Sequence, residues 1–203
     1  CGSLISLVCK RNGEPNALLS GLTPGEIYFV RVYSLNSTNH TYEFCVQTLP
    51  PPPANIDCAT ATVLTSEPLP ACGTPVTGTT EGLVLAQPAT ACSQQGEGMF
   101  VWYSFQATYS THVAQVSDVT QRYGPGNCWV ELYEGSDCGT LKELGCYPYS
   151  TFVNWVFLKN LTVGATYYLR FGSPVSSAHS FQICLGHYPQ PLNDDCVGAL
   201  PLT

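Results

Sequence analysis

Charge is scarce in this chain: of 203 residues only 10% are charged, with 7 Lys plus Arg against 14 acids. A net charge of -7 without any basic cluster argues against nucleic acid and anionic membrane as partners, because both are held by gathered positive charge. No apolar run approaches the ~18 residues of a membrane span and no lipidation motif is seen, so direct membrane insertion is not expected. Catalytic signatures are also missing. There is no nucleophile elbow and no HExxH helix, the cysteines lack paired CxxC spacing, and His40, His112, His179 and His187 lie too far apart for a zinc set. The expectation is a chain that is not an enzyme and carries no cofactor.

What the chain does contain is itself, twice. Cys1-Gly2-Ser3-Leu4 returns as Cys138-Gly139-Thr140-Leu141, and the run from Leu22 to Arg31 returns from Leu161 to Arg170. Tyr42 to Val46 corresponds to Ser180 to Leu185, and Asn55-Ile56-Asp57-Cys58 to Asn193-Asp194-Asp195-Cys196. The four pairs keep one order about 138 residues apart, which reads as a window through a tandem array. Residues 1–48 are then the C-terminal half of one repeat, 49–54 a proline-rich spacer, 55–187 a complete repeat, and 188–203 the start of the next. A half-domain should not fold alone, so a neighbouring repeat or another chain is expected to complete it. The spacer Leu49-Pro50-Pro51-Pro52-Pro53-Ala54 should be semi-rigid, because proline fixes φ and favours extended geometry.

Plentiful Thr, Val and Tyr, with turn residues every eight to twelve positions, predict an all-β fold without helices. Nine short strands are expected in the complete repeat, near 60–64, 76–80, 99–106, 112–119, 129–133, 141–146, 153–158, 166–172 and 180–185. That number suits a jelly-roll or related β-sandwich.

The 11 cysteines predict disulfides and an oxidising compartment outside the cell. Cys1 with Cys9, and Cys138 with Cys146, are eight residues apart and suit a bridge across strand, turn and strand. Cys72 and Cys92 suit a bridge across a long loop. Cys58 has two partners open to it: Cys184, closing one domain, or Cys45, joining successive domains, with Cys184 then bonded to Cys196. Cys128 is left over.

Two further groups bear on ligands. Glu131, Glu134, Asp137 and Asp118 could gather around calcium, although solvated loop carboxylates are the stronger reading. Trp102, Trp129 and Trp155 are the candidates for a sugar-stacking platform, against core packing as the commoner role of such residues.

Several motifs follow one another in an order more specific than any one of them. They are Cys72-Gly73-Thr74, Gly78-Thr79-Thr80-Glu81-Gly82, Val101-Trp102-Tyr103-Ser104-Phe105, the run from Val130 to Leu141, the run from Leu161 to Arg170, and Asn193-Asp194-Asp195-Cys196 after a proline spacer. Together they resemble the tandem β-sandwich repeats of very large Bacteroidetes surface proteins, including gliding-motility adhesins exported by type IX secretion. The resemblance implies a non-catalytic segment of a cell-surface adhesin or filament. Its partners would be neighbouring repeats, surface polysaccharide or other surface proteins. Similar repeats occur as accessory domains of secreted hydrolases, which makes carbohydrate binding the alternative. A more distant similarity to CUB domains surrounds Val130-Glu131-Leu132-Tyr133-Glu134-Gly135. Where calcium-binding CUB domains carry an Asp before that strand this chain has Cys128, which speaks against calcium.

Overall fold

The structure is a computed structural model and describes residues 4–10, 17, 19, 21–34, 39, 41–70, 72–84, 98–123, 127–149, 155–175 and 177–188. The chain divides into two units, Cys1–Leu49 and Pro50–Thr203. Among the described residues no helix is long and apolar enough to cross a membrane.

The second unit is a two-sheet β-sandwich, the jelly-roll class that the strand spacing predicts. It opens with a 3-10 turn at Cys58–Thr60. Among the described residues ten strands follow: β1 (Thr62–Val63), β2 (Ser66–Pro68), β3 (Val76–Thr79), β4 (Gly98–Gln106), β5 (His112–Tyr123), β6 (Trp129–Glu134), β7 (Lys142–Pro148), β8 (Trp155–Leu158), β9 (Thr166–Pro174) and β10 (Ala178–His187). One sheet has the order β1-β4-β9-β6-β7. The other has β2-β10-β5-β8, with β3 also on β10.

All nine expected strands form. The additional one, β2, is three residues long, ends in Pro68 and pairs in parallel with the end of β10. Its sequence Ser-Glu-Pro has no alternating apolar pattern, because a short edge strand buries little.

Alternation decides what faces the core. Val101, Tyr103 and Phe105 of β4, Val130 and Leu132 of β6, Tyr167, Leu169 and Phe171 of β9, and Phe181, Ile183 and Leu185 of β10 meet between the sheets. Phe171 and Phe181 stack across that interface at 3.7 Å between ring centroids. Gly78 of β3 stands where any side chain would strike the Tyr103 hydroxyl and the Phe181 ring. At the start of the domain Asn55, in a turn, clasps β4: its Nδ2 donates to the Trp102 carbonyl, and Trp102 N donates to the Asn55 carbonyl, both at 2.8 Å. The first residue of the recurring Asn-x-Asp-Cys motif is therefore an anchor onto β4.

The disulfides differ from every pairing the spacing suggested. Cys58 bonds Cys138, with Cα atoms 5.7 Å apart, and Cys72 bonds Cys184, with Cα atoms 6.0 Å apart. Cys138 does not take Cys146, because it lies in the turn before β7 while Cys146 stands inside that strand, opposite Glu131. Four extended steps carry Cys146 roughly 13 Å beyond Lys142, against the ~4.4 to 6.8 Å a bridge spans. Cys58 takes neither Cys184 nor Cys45, and Cys72 does not take Cys92, which lies outside the described residues. Cys9 and Cys45 are free, exposed thiols, so neither the Cys1–Cys9 nor the Cys45–Cys58 bridge is made. Cys184 is likewise unavailable to Cys196; Cys1 and Cys196 also fall outside the described residues. Cys146 is disulfide-bonded as well. Cys128 is free and buried in the core.

The first unit contains no strand or helix among its described residues. It does contain one ordered turn. Glu26 N donates to the Thr23 carbonyl at 3.2 Å, and Thr23 N donates to the Tyr28 hydroxyl at 2.8 Å. The counterpart in the second unit is the β8–β9 turn, where Ala165 N donates to the Thr162 carbonyl at 3.0 Å and Thr162 N to the Tyr167 hydroxyl at 2.9 Å. Both turns carry left-handed residues at matching places, Gly21 (φ 70°) with Asn160 (φ 60°) and Gly25 (φ 87°) with Gly164 (φ 86°). The repeated sequence folds locally the same way twice.

Candidate functional site

The outer face of the β1-β4-β9-β6-β7 sheet carries the polar cluster that alternation turns away from the core. β6 contributes Trp129, Glu131 and Tyr133, β4 contributes Phe100 and Trp102, and β9 contributes Arg170. The register sets Trp102 and Glu131 on either side of Arg170. Gly172, two residues further along β9, gives the rings room: a Cβ there would lie 2.6 Å from both Phe100 and Trp129.

At the centre Glu131 is fully buried. Its Oε1 accepts from Trp129 Nε1 at 3.0 Å, while Oε2 accepts from Arg170 Nε at 2.6 Å and from the Tyr133 hydroxyl at 2.8 Å. Arg170 Nη2 lies 2.5 Å from the same Oε2 and donates to the Tyr133 hydroxyl at 2.8 Å. The guanidinium also lies 3.9 Å from the Phe100 centroid and 5.0 Å from that of Trp102. Burial raises the Tyr133 phenol well above its ordinary range, with the nearby Arg170 charge opposing it. Tyr133 therefore stays protonated and can donate to Glu131. Each charge here is paired and hydrogen-bonded, the condition under which a buried ion pair is tolerated.

This arrangement holds a surface in shape. Glu131 has its oxygens committed to four donors, Trp129 Nε1, Arg170 Nε and Nη2 and the Tyr133 hydroxyl. Among the described residues no three His, Cys, Asp or Glu side chains converge to hold a metal. Of the three tryptophans, Trp102 and Trp129 are brought together around the Arg170–Glu131 pair, and each is only 8% exposed. Arg170 covers one and the edge-on Phe100 packs on the other, so neither presents an open ring face to a sugar. Trp155 is elsewhere, half-buried on β8 of the second sheet.

A second cluster was not visible in sequence, because its members are far apart along the chain. Ser66 Oγ of β2 lies 3.0 Å from His112 Nδ1 and 2.8 Å from His187 Nδ1. His112 Nε2 accepts from Thr108 N and Tyr109 N at 3.1 and 3.2 Å, which assigns the ring proton to Nδ1. The chain of donors is then His112 Nδ1 to Ser66 Oγ to His187 Nδ1. Tyr109 stacks on His187 at 4.3 Å. Burial, and next the neighbouring His187, hold the His112 pKa below the ordinary value of 6.5; a hydrogen bond to the Gly186 backbone opposes them. His112 cannot take the Ser66 proton, since its facing nitrogen is already protonated. The hydroxyl serves as a bridge between rings and ties β2 to β5 and β10.

Residues 54–184 match the family described as Galactose binding domain-like, in a form associated with type IX secretion. No curated protein and no solved structure matches the chain.

Proposed function

The chain belongs to the Galactose binding domain-like family, and from that membership together with its repeats we propose that it is a non-catalytic segment of a large secreted adhesin or filament. Type IX secretion assigns it to the outside of the cell, and gliding over surfaces is the activity such a filament would serve.

The observation that carries this reading is the pair of matching turns, Thr23 to Tyr28 and Thr162 to Tyr167. A second copy of the domain's own local structure precedes the complete domain. Tyr28, Val30 and Val32 correspond to Tyr167, Leu169 and Phe171. The first three are 41%, 58% and 52% exposed, the last three 1%, 0% and 0%. In the complete domain those side chains are covered from β10 and lie between β4 and β6. The upstream copy thus carries an apolar row that strands of the same kind would bury, as in a tandem array.

The test is attachment of the native cells to a surface. Antigen-binding fragments raised against the purified chain should label intact cells and reduce attachment and gliding. Full attachment by fully labelled cells would remove the adhesin reading.

The family description favours a second reading, a carbohydrate-binding accessory module. It predicts binding on a glycan array that Trp155→Ala weakens while thermal stability is kept.

A further inference from the structure

We propose that the Cys58–Cys138 and Cys72–Cys184 bridges form a covalent load path that lets tension pass along the chain without opening the sandwich. The bridges interlace: Cys58 to Cys138 and Cys72 to Cys184, with sequence separations of 80 and 112. Cys58 sits in the turn that opens the domain and Cys184 on its last strand, three residues before His187 closes that strand. Tension entering at Cys58 and leaving at Cys184 has a short route, along the chain to Cys72 and across the bridge to Cys184. That route contains 14 residue steps.

Strands β3 to β9, with most of the core and the whole Arg170–Glu131 cluster, lie on the closed loop between Cys72 and Cys184. They are off the load path. What lies on it is the opening turn, β1 and β2. β1 holds to β4 through two parallel residue pairs and β2 to β10 through three. These short edge pairs should yield first, after which the Cys72–Cys184 bridge takes the tension. The second bridge is a reserve. If Cys72–Cys184 is lost, tension crosses from Cys58 to Cys138 and follows the 46 steps to Cys184. Without either bridge, and with Cys146 also unbonded, all 126 steps between Cys58 and Cys184 can be drawn out.

The purpose of such a path rests on the reading of the chain as part of a load-bearing array, but the path itself is a property of this chain. At ~3.6 Å per extended residue the oxidised path extends to roughly 50 Å, the path through the reserve bridge to roughly 165 Å, and the open chain to roughly 450 Å.

Single-molecule force spectroscopy on the full chain, held by its termini, tests this directly. A Cys146→Ser background leaves only the two bridges to be read. The oxidised protein should show no large extension step. Cys72→Ser with Cys184→Ser should lengthen it by roughly 115 Å, and Cys58→Ser with Cys138→Ser should add nothing. Adding a thiol reductant to the unmutated pairs under tension should release roughly 400 Å, and this measurement stands even if a variant fails to fold. A full-length release from the oxidised chain, or equal lengthening on removal of either bridge, overturns the proposal. A correct load path in cells whose attachment ignores the blocking fragments would leave the path standing and remove the adhesin reading.

Discussion

Glu131 on β6 and Arg170 on β9 stand opposite one another in the antiparallel register, with Arg170 Nε donating to Glu131 Oε2 at 2.6 Å. A single ladder position thus sets a buried acid against a buried base on the outer face of a sheet, with aromatic rings around both. The pair, rather than either residue, is the unit on which that face depends.

Removing one partner should therefore cost far more than its share of contact. Glu131→Ala leaves the Arg170 charge buried without its counter-ion, and the expected loss is about 3 to 5 kcal/mol in urea unfolding. Replacing Glu131 and Arg170 together by apolar residues should lose much less than the sum of the single changes. Additive losses in that double-mutant cycle would mean that the two side chains are not coupled.

Gly172 tests the same face by volume. Its missing Cβ is the space that Phe100 and Trp129 fill, so Gly172→Ala should destabilise the domain by about 1 to 3 kcal/mol through overpacking. Gly164→Ala gives a contrast, since nothing lies within 4 Å of its Cβ position and the cost is only that of its left-handed φ of 86°. Tryptophan fluorescence should shift in the first variant and remain unchanged in the second.

Stability should fall in mild acid through His112. The fold holds this ring neutral, with its pKa below the ordinary 6.5, so the unfolded chain takes up the proton first as pH drops. The contribution is whole above about 6.5 and is lost progressively as the pH falls from there through the folded-state value. Urea midpoints from pH 7.5 down to pH 5 should decline more steeply for the native chain than for His112→Gln. Parallel declines would assign the acid sensitivity to other groups.

The free thiols should separate by burial. Cys9 and Cys45 are exposed and should react with maleimide in the folded protein. Cys128 sits in the core with its thiol pKa pushed up to about 12 by burial, so it should react only once the domain unfolds. Peptide mapping after a brief native pulse reads all three, and labelling of Cys128 at the rate of Cys45 would contradict its place in the core.

The strand pattern was legible in the sequence because alternation is local. Val130 and Leu132 between Trp129, Glu131 and Tyr133 already state which side of β6 faces inward, and a turn at Asn160 to Gly164 needs only its own residues to form. The same holds for the repeat, since Leu22–Arg31 and Leu161–Arg170 could be aligned without knowing where either lies. Even the short β2 was missed for a local reason, its lack of an apolar side.

What the sequence could not state is which distant positions meet. Eight-residue spacing suggested Cys138 with Cys146, yet Cys146 stands inside β7 while Cys138, in the turn before it, bonds Cys58 instead. The Trp102 and Trp129 rings could have been open platforms until the register of β4, β9 and β6 set Arg170 against them. Ser66, His112 and His187 come from three strands and have no pattern in common. Side-chain period and turn chemistry follow from neighbouring residues, so the sequence alone determined the all-β class and every described strand but β2. Bridge partners, ion pairs and ring contacts depend on how two sheets order and register their strands, and that only the tertiary structure decided.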